Sequence, residues 1–524
     1  MEHGVAAAWA CAVYKIQMAC CSQPLFHYQS DQLFKHALLE SVKAWMADPA
    51  HQALPLHARL QRSLRQLIID GQLAAGRPLP ASRALAQSLA VSRDTVETAY
   101  SQLHAEGFIT RRVGSGSQVS QQARRLPARP AAAGPAAAPP LSRRGQAMLA
   151  AGGVGDFPAP HTFVPGVPET RNFPLPTWER LQRQVLKEYG HRALQHSPAQ
   201  GVLPLRQAIA DYVNLERGAR ATPEQVLVLT STQQALSLCA QVLLDPGDRI
   251  LIEDPVYHGA RKAFDAAGLV CQPVPLDAEG MQVQHLAAAP PAQAMFLTPS
   301  HQYPTGATLS LERRLAAIAW AREHQSWILE DDYDSEFHYA GKPTACVQGL
   351  DAHGRTLYIG TFSKSLFPGL RLGYMVLPPA LVAPMTVARS LQDGHSAPLA
   401  QLTLARFIEG GHLGAHIRTM RTVYAQRRDR LAQLLRTHLA DWLEPQVPAG
   451  GMQMACHLRG GLQEAPLVAA AARAGITLAG LSALYSGPPR HQGVLMGFAA
   501  YTPMELEAGV RQLAQVLHAL RHPG

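Results

Sequence analysis

Several things are scarce in this chain of 524 residues. The seven cysteines (Cys11, Cys20, Cys21, Cys239, Cys271, Cys346, Cys456) are odd in number and lack paired metal-ligand spacing. That excludes a disulfide framework and gives no reason to expect a metal site; without an export signal it predicts a cytoplasmic home. Charged residues make up 16% against 47% hydrophobic, which excludes a globally disordered chain. No apolar run approaches the ~20 residues that cross a bilayer, so no membrane role is expected. The short apolar stretch Val5–Val13 has neither a basic flank nor a small-residue cleavage pattern. Residues 1–55 therefore read as an N-terminal extension, poorly ordered, rather than a signal peptide. Lysine is rare too: there are seven against 40 arginines, and only Lys187, Lys262, Lys342 and Lys364 lie beyond residue 160.

What charge there is lies at the front. The net formal charge is +9, of which residues 56–120 carry +4 and residues 121–150 carry +5. Residues 1–55 contribute −1, leaving +1 for the remaining 374. A basic front on a nearly neutral body suits contact with a polyanion, although a solvated surface in an arginine-rich chain explains it as well. Between front and body, residues 121–160 are rich in Ala, Pro and Arg (LPARPAAAGPAAAPP), without periodicity, and read as a linker. The body, 161–524, alternates apolar runs such as Val226–Leu229, Ala294–Leu297 and Thr356–Ile359 with helical patterns, predicting a mostly parallel sheet flanked by helices.

Within 56–120, Leu56, Leu60, Leu64, Leu67 and Ile68 share one helical face. Ser82 and Ser92 are expected N-caps of a second and a third helix, the third burying Val96, Ala99, Tyr100 and Leu103. Two strands around a glycine-rich tip (Val113-Gly114-Ser115-Gly116) follow. Three short helices and a hairpin predict a small α+β winged helix-turn-helix, whose third helix presents Arg93, Asp94, Thr95, Glu97 and Thr98 to a major groove. Arg83 and Arg111 can hold phosphates. The same three-helix pattern also serves as a dimerisation domain. The run LPASRALAQSLAVSRDTVETAYSQLHAEGFI…GSGSQV closely resembles the GntR-family DNA-binding domain. The resemblance implies DNA contacts from Ser82, Arg83, Ser92, Arg93, Thr95, Gly114, Ser115 and Gly116. Glu97 stands where some members carry a basic contact residue.

In the body, Lys364 follows an apolar run in YIGTFSKSLFPGLRLGY. A lysine at a strand end, beside the hydroxyls of Thr361 and Ser363 and the guanidinium of Arg371, suits Schiff-base formation with pyridoxal 5'-phosphate. Trp327–Leu329 leads into EDDYD, where a carboxylate can pair with a protonated pyridine nitrogen or bind magnesium. Thr230–Leu236 opens a helix whose first amides favour an anion, and Tyr257 follows another strand. Together these segments resemble the aminotransferase-like, fold-type-I α/β family over about 161–510. The resemblance implies Lys364 as the Schiff-base lysine, Asp331 as partner of the pyridine nitrogen and Tyr333 at the ring hydroxyl. It implies Tyr257 stacking on the ring, with Thr232, Gln233, Thr361, Ser363 and Arg371 around the phosphate.

The order of modules, with TPSHQYPTG and EDDYDSEFHY, resembles the MocR-type bacterial regulators. The resemblance implies a cytoplasmic homodimer that binds double-stranded DNA operators with paired half-sites. It implies a small effector: an amine, an amino acid or pyridoxal phosphate itself. Three positions depart from the enzymes of this fold: Tyr303 replaces an asparagine, Ser231 a glycine, and Leu495 a carboxylate-binding arginine. An active aminotransferase with an accessory DNA-binding domain remains the alternative to a regulator, and a regulator whose large domain is only a scaffold is a third reading.

Overall fold

The structure, a computed structural model, describes residues 24–112, 116–125, 140–154, 162–339 and 344–521, with backbone alone for 24–35 and 124–125. The chain divides between Pro139 and Pro140 into two compact units.

The first unit holds helices α1 (Pro24–Ala47), α2 (Leu56–Ile69), α3 (Ser82–Leu89) and α4 (Arg93–Ala105), then strands β1 (Ile109–Arg112) and β2 (Gly116–Val119). The strands pair antiparallel, with Ile109 opposite Val119 and Arg112 opposite Gly116. The apolar spacing of α2 and α4 becomes one core of Leu60, Leu64, Leu67, Ile68, Val96, Ala99, Tyr100 and Leu103. Leu56, expected on that face, is exposed. Gly71 and Gly107, both at positive φ, follow the ends of α2 and α4 where a side chain would be strained.

Two expectations are corrected here. The extension 1–55 is not wholly poorly ordered: α1 lies within it, and Leu38 and Val42, one turn apart, are buried in the same core, with Leu39 and Met46 packed against it. Their helical spacing covers apolar surface that α2 and α3 leave open. Ser82 is not an N-cap either, because Ala81 takes that position without a side-chain bond and Ser82 is the first helical residue.

The second unit is built on a mixed sheet of β3 (Val226–Leu229), β4 (Arg249–Asp254), β5 (Val270–Asp277), β6 (Gly280–Met281), β7 (Ala294–Leu297), β8 (Trp327–Asp332), β9 (Thr356–Thr361) and β10 (Gly373–Val376). Their spatial order is β3-β10-β9-β8-β7-β4-β5-β6. Strands β9, β8, β7, β4 and β5 run parallel, while β10 is antiparallel to both β3 and β9. Leu227, Leu229, Ile250, Ile252 and Leu329 pack on one face, with the helix Thr232–Leu243. Val226, Val228, Tyr358 and Tyr374 pack on the other, with the helix Leu203–Arg217. Helices on both faces explain why these strands read as unbroken apolar runs. Strand β5, VCQPVPLD, was not among the expected runs. Its prolines, Pro273 and Pro275, sit opposite Ile252 and Asp254 of β4. On the other side the two-residue β6 pairs with Leu276 and Asp277, and Pro275 O accepts from Gln282 N at 2.9 Å, so neither proline has to donate to a neighbouring strand there.

A smaller antiparallel sheet follows, β11 (Leu443–Gln446), β12 (Gln453–Leu458), β13 (Ala479–Gly480) and β14 (Gly493–Gly497), in the order β11-β12-β14-β13. The helices His412–His438, Glu464–Arg473 and Pro503–Arg521 pack with it around Tyr424, Leu435, Met454, Met496 and Leu513. Part of the expected linker is also folded. Ser142 caps a helix over Arg143–Ala151, and Lys262 Nζ donates to Gly153 O at 2.7 Å. Most of the LPARPAAAGPAAAPP stretch lies outside the described residues.

Candidate functional site

On the first unit, Ser92 caps α4: its Oγ accepts from Thr95 N at 3.1 Å and shares a hydrogen bond with Thr95 Oγ1 at 2.8 Å. Both hydroxyls are therefore engaged in holding the helix start. Arg83 and Arg93 are exposed. Arg111 is not a free cation: it pairs with Glu97 and donates to Ser101 Oγ at 3.2 Å. The Glu97 carboxyl lies below its usual pKa because it accepts from Ser82 and then from Arg111. Gly116 has φ +78 and open space where a Cβ would be. Gly114 and Ser115 lie outside the described residues.

On the second unit, the chemistry-bearing residues collect beyond the carboxyl ends of the strands, where open α/β sheets bind ligands. Asp331 projects from the end of β8, and period-two alternation sends its neighbours to the other face. There, Asp332 Oδ2 accepts from Arg217 Nε at 2.8 Å and from Tyr358 OH at 2.7 Å. Glu330 accepts from the Val347 and Gln348 amides. Asp331 has no such bonded oxygen among the described residues: its Oδ1 is buried without a hydrogen-bond partner, as Asp332 Oδ1 also is. Burial, reinforced by the Asp332 and Asp334 charges, pushes its pKa up to about 8.

Strand β9 ends in Thr361, whose Oγ1 accepts from Ser363 N at 3.2 Å and caps the short helix carrying Lys364. Lys364 Nζ donates to Gly166 O at 2.6 Å. Burial lowers the amine's pKa, opposed by the carboxylates of Asp334 and Asp331. The neutral amine is the nucleophile, so burial favours the reactive form.

The other candidates form the walls. Ser231 caps the helix Thr232–Leu243, making Thr232 its first residue, and Gln233 Nε2 donates to Gly259 O at 2.9 Å. The Gln233 Oε1 is buried without a partner. Tyr257 lies over Gly259, where any Cβ would collide with its ring. Burial, with Asp331 nearby, pushes the Tyr257 hydroxyl up to about 12. Tyr303 bridges the aromatic wall, its ring centroid 5.4 Å from Tyr257 and 6.2 Å from Tyr333. Arg371 is exposed at φ +53 and makes no ion pair among the described residues. Two residues on, Gly373 pairs with Leu229 and Thr361, and a Cβ there would lie 3.6 Å from the Ser231 backbone. The Arg371 turn thus borders both the Ser231–Gln233 turn and the Thr361–Ser363 turn.

Several participants went unassigned in the sequence. Gly166 and Gln453 come from distant segments and carry no motif. His301 lies in TPSHQYPTG and Asp334 in EDDYD, so their positions were visible but their contact was not. His301 Nδ1 and Asp334 Oδ1 are 2.8 Å apart, both side chains buried. Glu253 Oε2 accepts from Thr298 N at 3.0 Å and from Thr298 Oγ1 at 2.6 Å, and burial pushes its pKa up to about 7.

The residues present fit pyridoxal phosphate. A partnerless buried acid calls for a cationic N–H donor, which a protonated pyridine supplies. A lysine amine lies within the field of that acid, an aromatic wall stands over a glycine, and a capped helix start borders the turn that carries the exposed Arg371.

The fold and site define a helix-turn-helix regulator module fused to an aminotransferase module. The family "Bacterial regulatory proteins, gntR family" matches residues 56–119, and "Aminotransferase class I and II" matches residues 168–474. The probable rhizopine catabolism regulatory protein MocR of Rhizobium meliloti is 37% identical, over 90% of this chain and 95% of its own. The pyridoxine biosynthesis transcriptional regulator PdxR of Corynebacterium glutamicum is 30% identical, over 86% and 93%. Among solved structures, the multiple substrate aminotransferase of Thermococcus profundus is similar at a TM-score of 0.65 and 27% identity, covering 72% of this chain and 97% of that one. The chain belongs to the MocR-type DNA-binding transcription regulators.

Proposed function

We propose that this regulator binds pyridoxal 5'-phosphate through Lys364 and uses the holo site to sense a small amine or amino acid, changing its affinity for DNA. The observation that carries the reading is the partnerless Asp331 Oδ1 set beside the Lys364 amine. The cofactor supplies an electrophilic carbonyl and an electron-withdrawing ring when bound. Asp331 would hold the proton on the ring nitrogen, and Tyr257 would cover one ring face. Tyr333 would donate to the ring hydroxyl. Thr232, Gln233, Thr361, Ser363 and Arg371 would share the phosphate, Arg371 as its fork-shaped cation. Lys364 supplies the attacking amine, kept reactive by burial.

On the DNA side, Arg93 at the start of α4 would reach base edges, and Arg83 would hold backbone phosphate with Ser82, Ser92, Thr95 and the tip residues Gly114, Ser115 and Gly116. The protein would work in the cytoplasm as a homodimer on paired half-sites, the effector favouring one arrangement of DNA modules over another. Leu495 speaks against the alternative of an active aminotransferase. It is buried in an apolar cluster with Ala455, Leu481 and Leu484 against Tyr303, so that strand offers an amino-acid carboxylate no cation.

The test is the absorbance spectrum of the purified chain, with borohydride trapping, alongside operator footprinting with and without pyridoxal phosphate. A visible cofactor band that disappears in Lys364→Ala, with a ligand-dependent footprint, is expected. Absence of the band would leave a DNA-binding scaffold; sustained turnover of an amino acid would make it an enzyme.

A further inference from the structure

The small sheet extends the candidate cofactor site outward. In β12, Met454 and Cys456 point into the helical core, so Gln453, Ala455 and His457 share the opposite face. Gln453 lies at the Lys364 end: a Cβ on Gly166 would sit 3.0 Å from Lys364 Nζ and 3.6 Å from Gln453 Oε1. Ala455 lies in the middle, opposite Leu495 of β14 and packed towards Tyr303. His457 is two residues further on, about 13 Å from Gln453 along the strand.

There the strand borders a cavity of about 480 Å³, a size that accepts a small organic ligand. Ala455, Leu481 and Pro304 give it an apolar lining next to Tyr303, while His457, His491 and Arg490 bring N–H donors. Arg490 and His491 are exposed and His457 is half-buried, which places these donors at the cavity mouth. The two imidazoles are stacked, with ring centroids 4.6 Å apart and planes 11° from parallel. Each carries at least one ring N–H whatever its protonation. Among the described residues Arg490 makes no ion pair, and its Nη1 has only a long contact of 3.5 Å to Leu276 O. The segment leading to Arg490 is anchored. Ser486 N donates to Asp254 Oδ1 at 2.7 Å, and Arg261 Nη1 donates to Tyr485 O at 3.1 Å.

The two acids of the wall are accounted for. Asp277 is held by Arg313 through both oxygens, at 2.6 and 2.7 Å. Asp254 is bound to Ser486 and shares the wall with Arg490, which suits a single anionic group and penalises a polyanion.

We propose that the effector is a long amino acid, an amine joined through an apolar spacer to one acid group, and that Arg490, His457 and His491 hold the acid group. An α-amino acid keeps its carboxylate beside its amine and would leave that charge against the apolar Leu495 cluster. With several methylenes between the two groups, the spacer can cross Ala455 and Leu481 and the acid can reach the donors. Burying those methylenes is favourable, and the charge-assisted contact at the far end selects the acid over a plain amine.

This inference rests on the reading above, with Lys364 as the attachment lysine. The test uses the full-length chain loaded with pyridoxal phosphate. It is treated with borohydride in the presence of ω-amino carboxylic acids of increasing length, each beside the alkylamine of equal length. The label on the Lys364 peptide is then measured. An incoming amine forms its carbon–nitrogen bond to the cofactor as the bond to Lys364 breaks, and its protons pass to the released lysine, so the label falls. Long amino acids should halve the label at a concentration about tenfold or more below that of their alkylamines, and short ones should show no such gain. The ratio between the two should collapse towards one in Arg490→Gln, recover in part in Arg490→Lys, and fall by less in His457→Gln. No gain at any length, a gain as large for the shortest acids, or a ratio unchanged in Arg490→Gln overturns the proposal while leaving attachment at Lys364 intact. A wild-type chain without label, or with its label on Lys187, Lys262 or Lys342, overturns the attachment lysine, and this inference with it.

Discussion

The groups assigned to ligand contact in the two units live under opposite conditions. On α4, Arg93 stands in solvent, and the helix start is secured by residues three apart, Ser92 and Thr95. At the strand ends of the second unit, Asp331 is buried with a bare oxygen. A polyanion as large as DNA is met on the surface, where long charged side chains cost little to keep hydrated. A small cofactor is met inside, where preorganised but unsatisfied groups are unfavourable until it binds. The first kind of site is encoded locally; the second exists only once remote segments have folded together.

The sharpest way to break this contrast is Lys364→Ala. Covalent trapping of pyridoxal phosphate should be lost completely, while DNA binding in the absence of effector persists. Peptide mapping and footprinting measure the two. Equal loss of both would couple units that the chain keeps distinct.

A second test uses pH. Asp331 is raised in the folded state from its ordinary 3.8 to about 8, so between those values the folded chain binds more protons than the unfolded one. Its contribution to stability is therefore present at low pH and lost as pH rises through that window. Between about pH 4 and 8 the melting temperature of cofactor-free Asp331→Asn should rise relative to that of the wild type as pH increases, because the variant lacks this loss. The same slope in the variant would mean that Asp331 does not titrate there. Glu253, at about 7, adds a slope of the same sign.

Within the first unit, Leu38→Ala should cost about 2–5 kcal/mol, as buried leucine truncations do, and speed hydrogen exchange along α2. Unchanged exchange would place α1 outside the cooperative unit. Arg93→Ala should weaken specific operator binding by ~1–3 kcal/mol, unequally among operator variants, if it reads a base edge. A uniform loss in titrations across variants would make it a phosphate contact. The smallest effect belongs to Glu97→Gln: loss of this partly exposed pair should change stability by no more than about 1 kcal/mol. Arg111 would then be free for phosphate, steepening the salt dependence of DNA binding by about one ion. An unchanged salt slope would show that Arg111 stays clear of DNA.

Legibility in the sequence followed the same divide. The α4 face, the wing hairpin and most of the large sheet were readable because period and caps act over a few residues. Strand β5 was hidden by its prolines, and α1 by the weak segregation of apolar from polar residues around the helix. At the candidate cofactor site the motif residues Lys364, Asp331 and Tyr257 could be found, since each follows an apolar strand. Gly166 and Gln453 could not, because nothing local marks them. The position of Arg111 suits a phosphate contact, and its pairing with Glu97, fourteen residues away, was not legible in the sequence.

The sequence by itself determined which strands and helices form, where the basic front ends, and which scarce lysine follows a strand among hydroxyls. Tertiary structure alone decided which carboxylate is paired. Asp331 and Asp332 are chemically identical neighbours, yet strand alternation gives one of them Arg217 and Tyr358 and leaves the other facing the Lys364 side. The partners that separate them lie 115 and 26 residues away along the chain, beyond the reach of any local pattern.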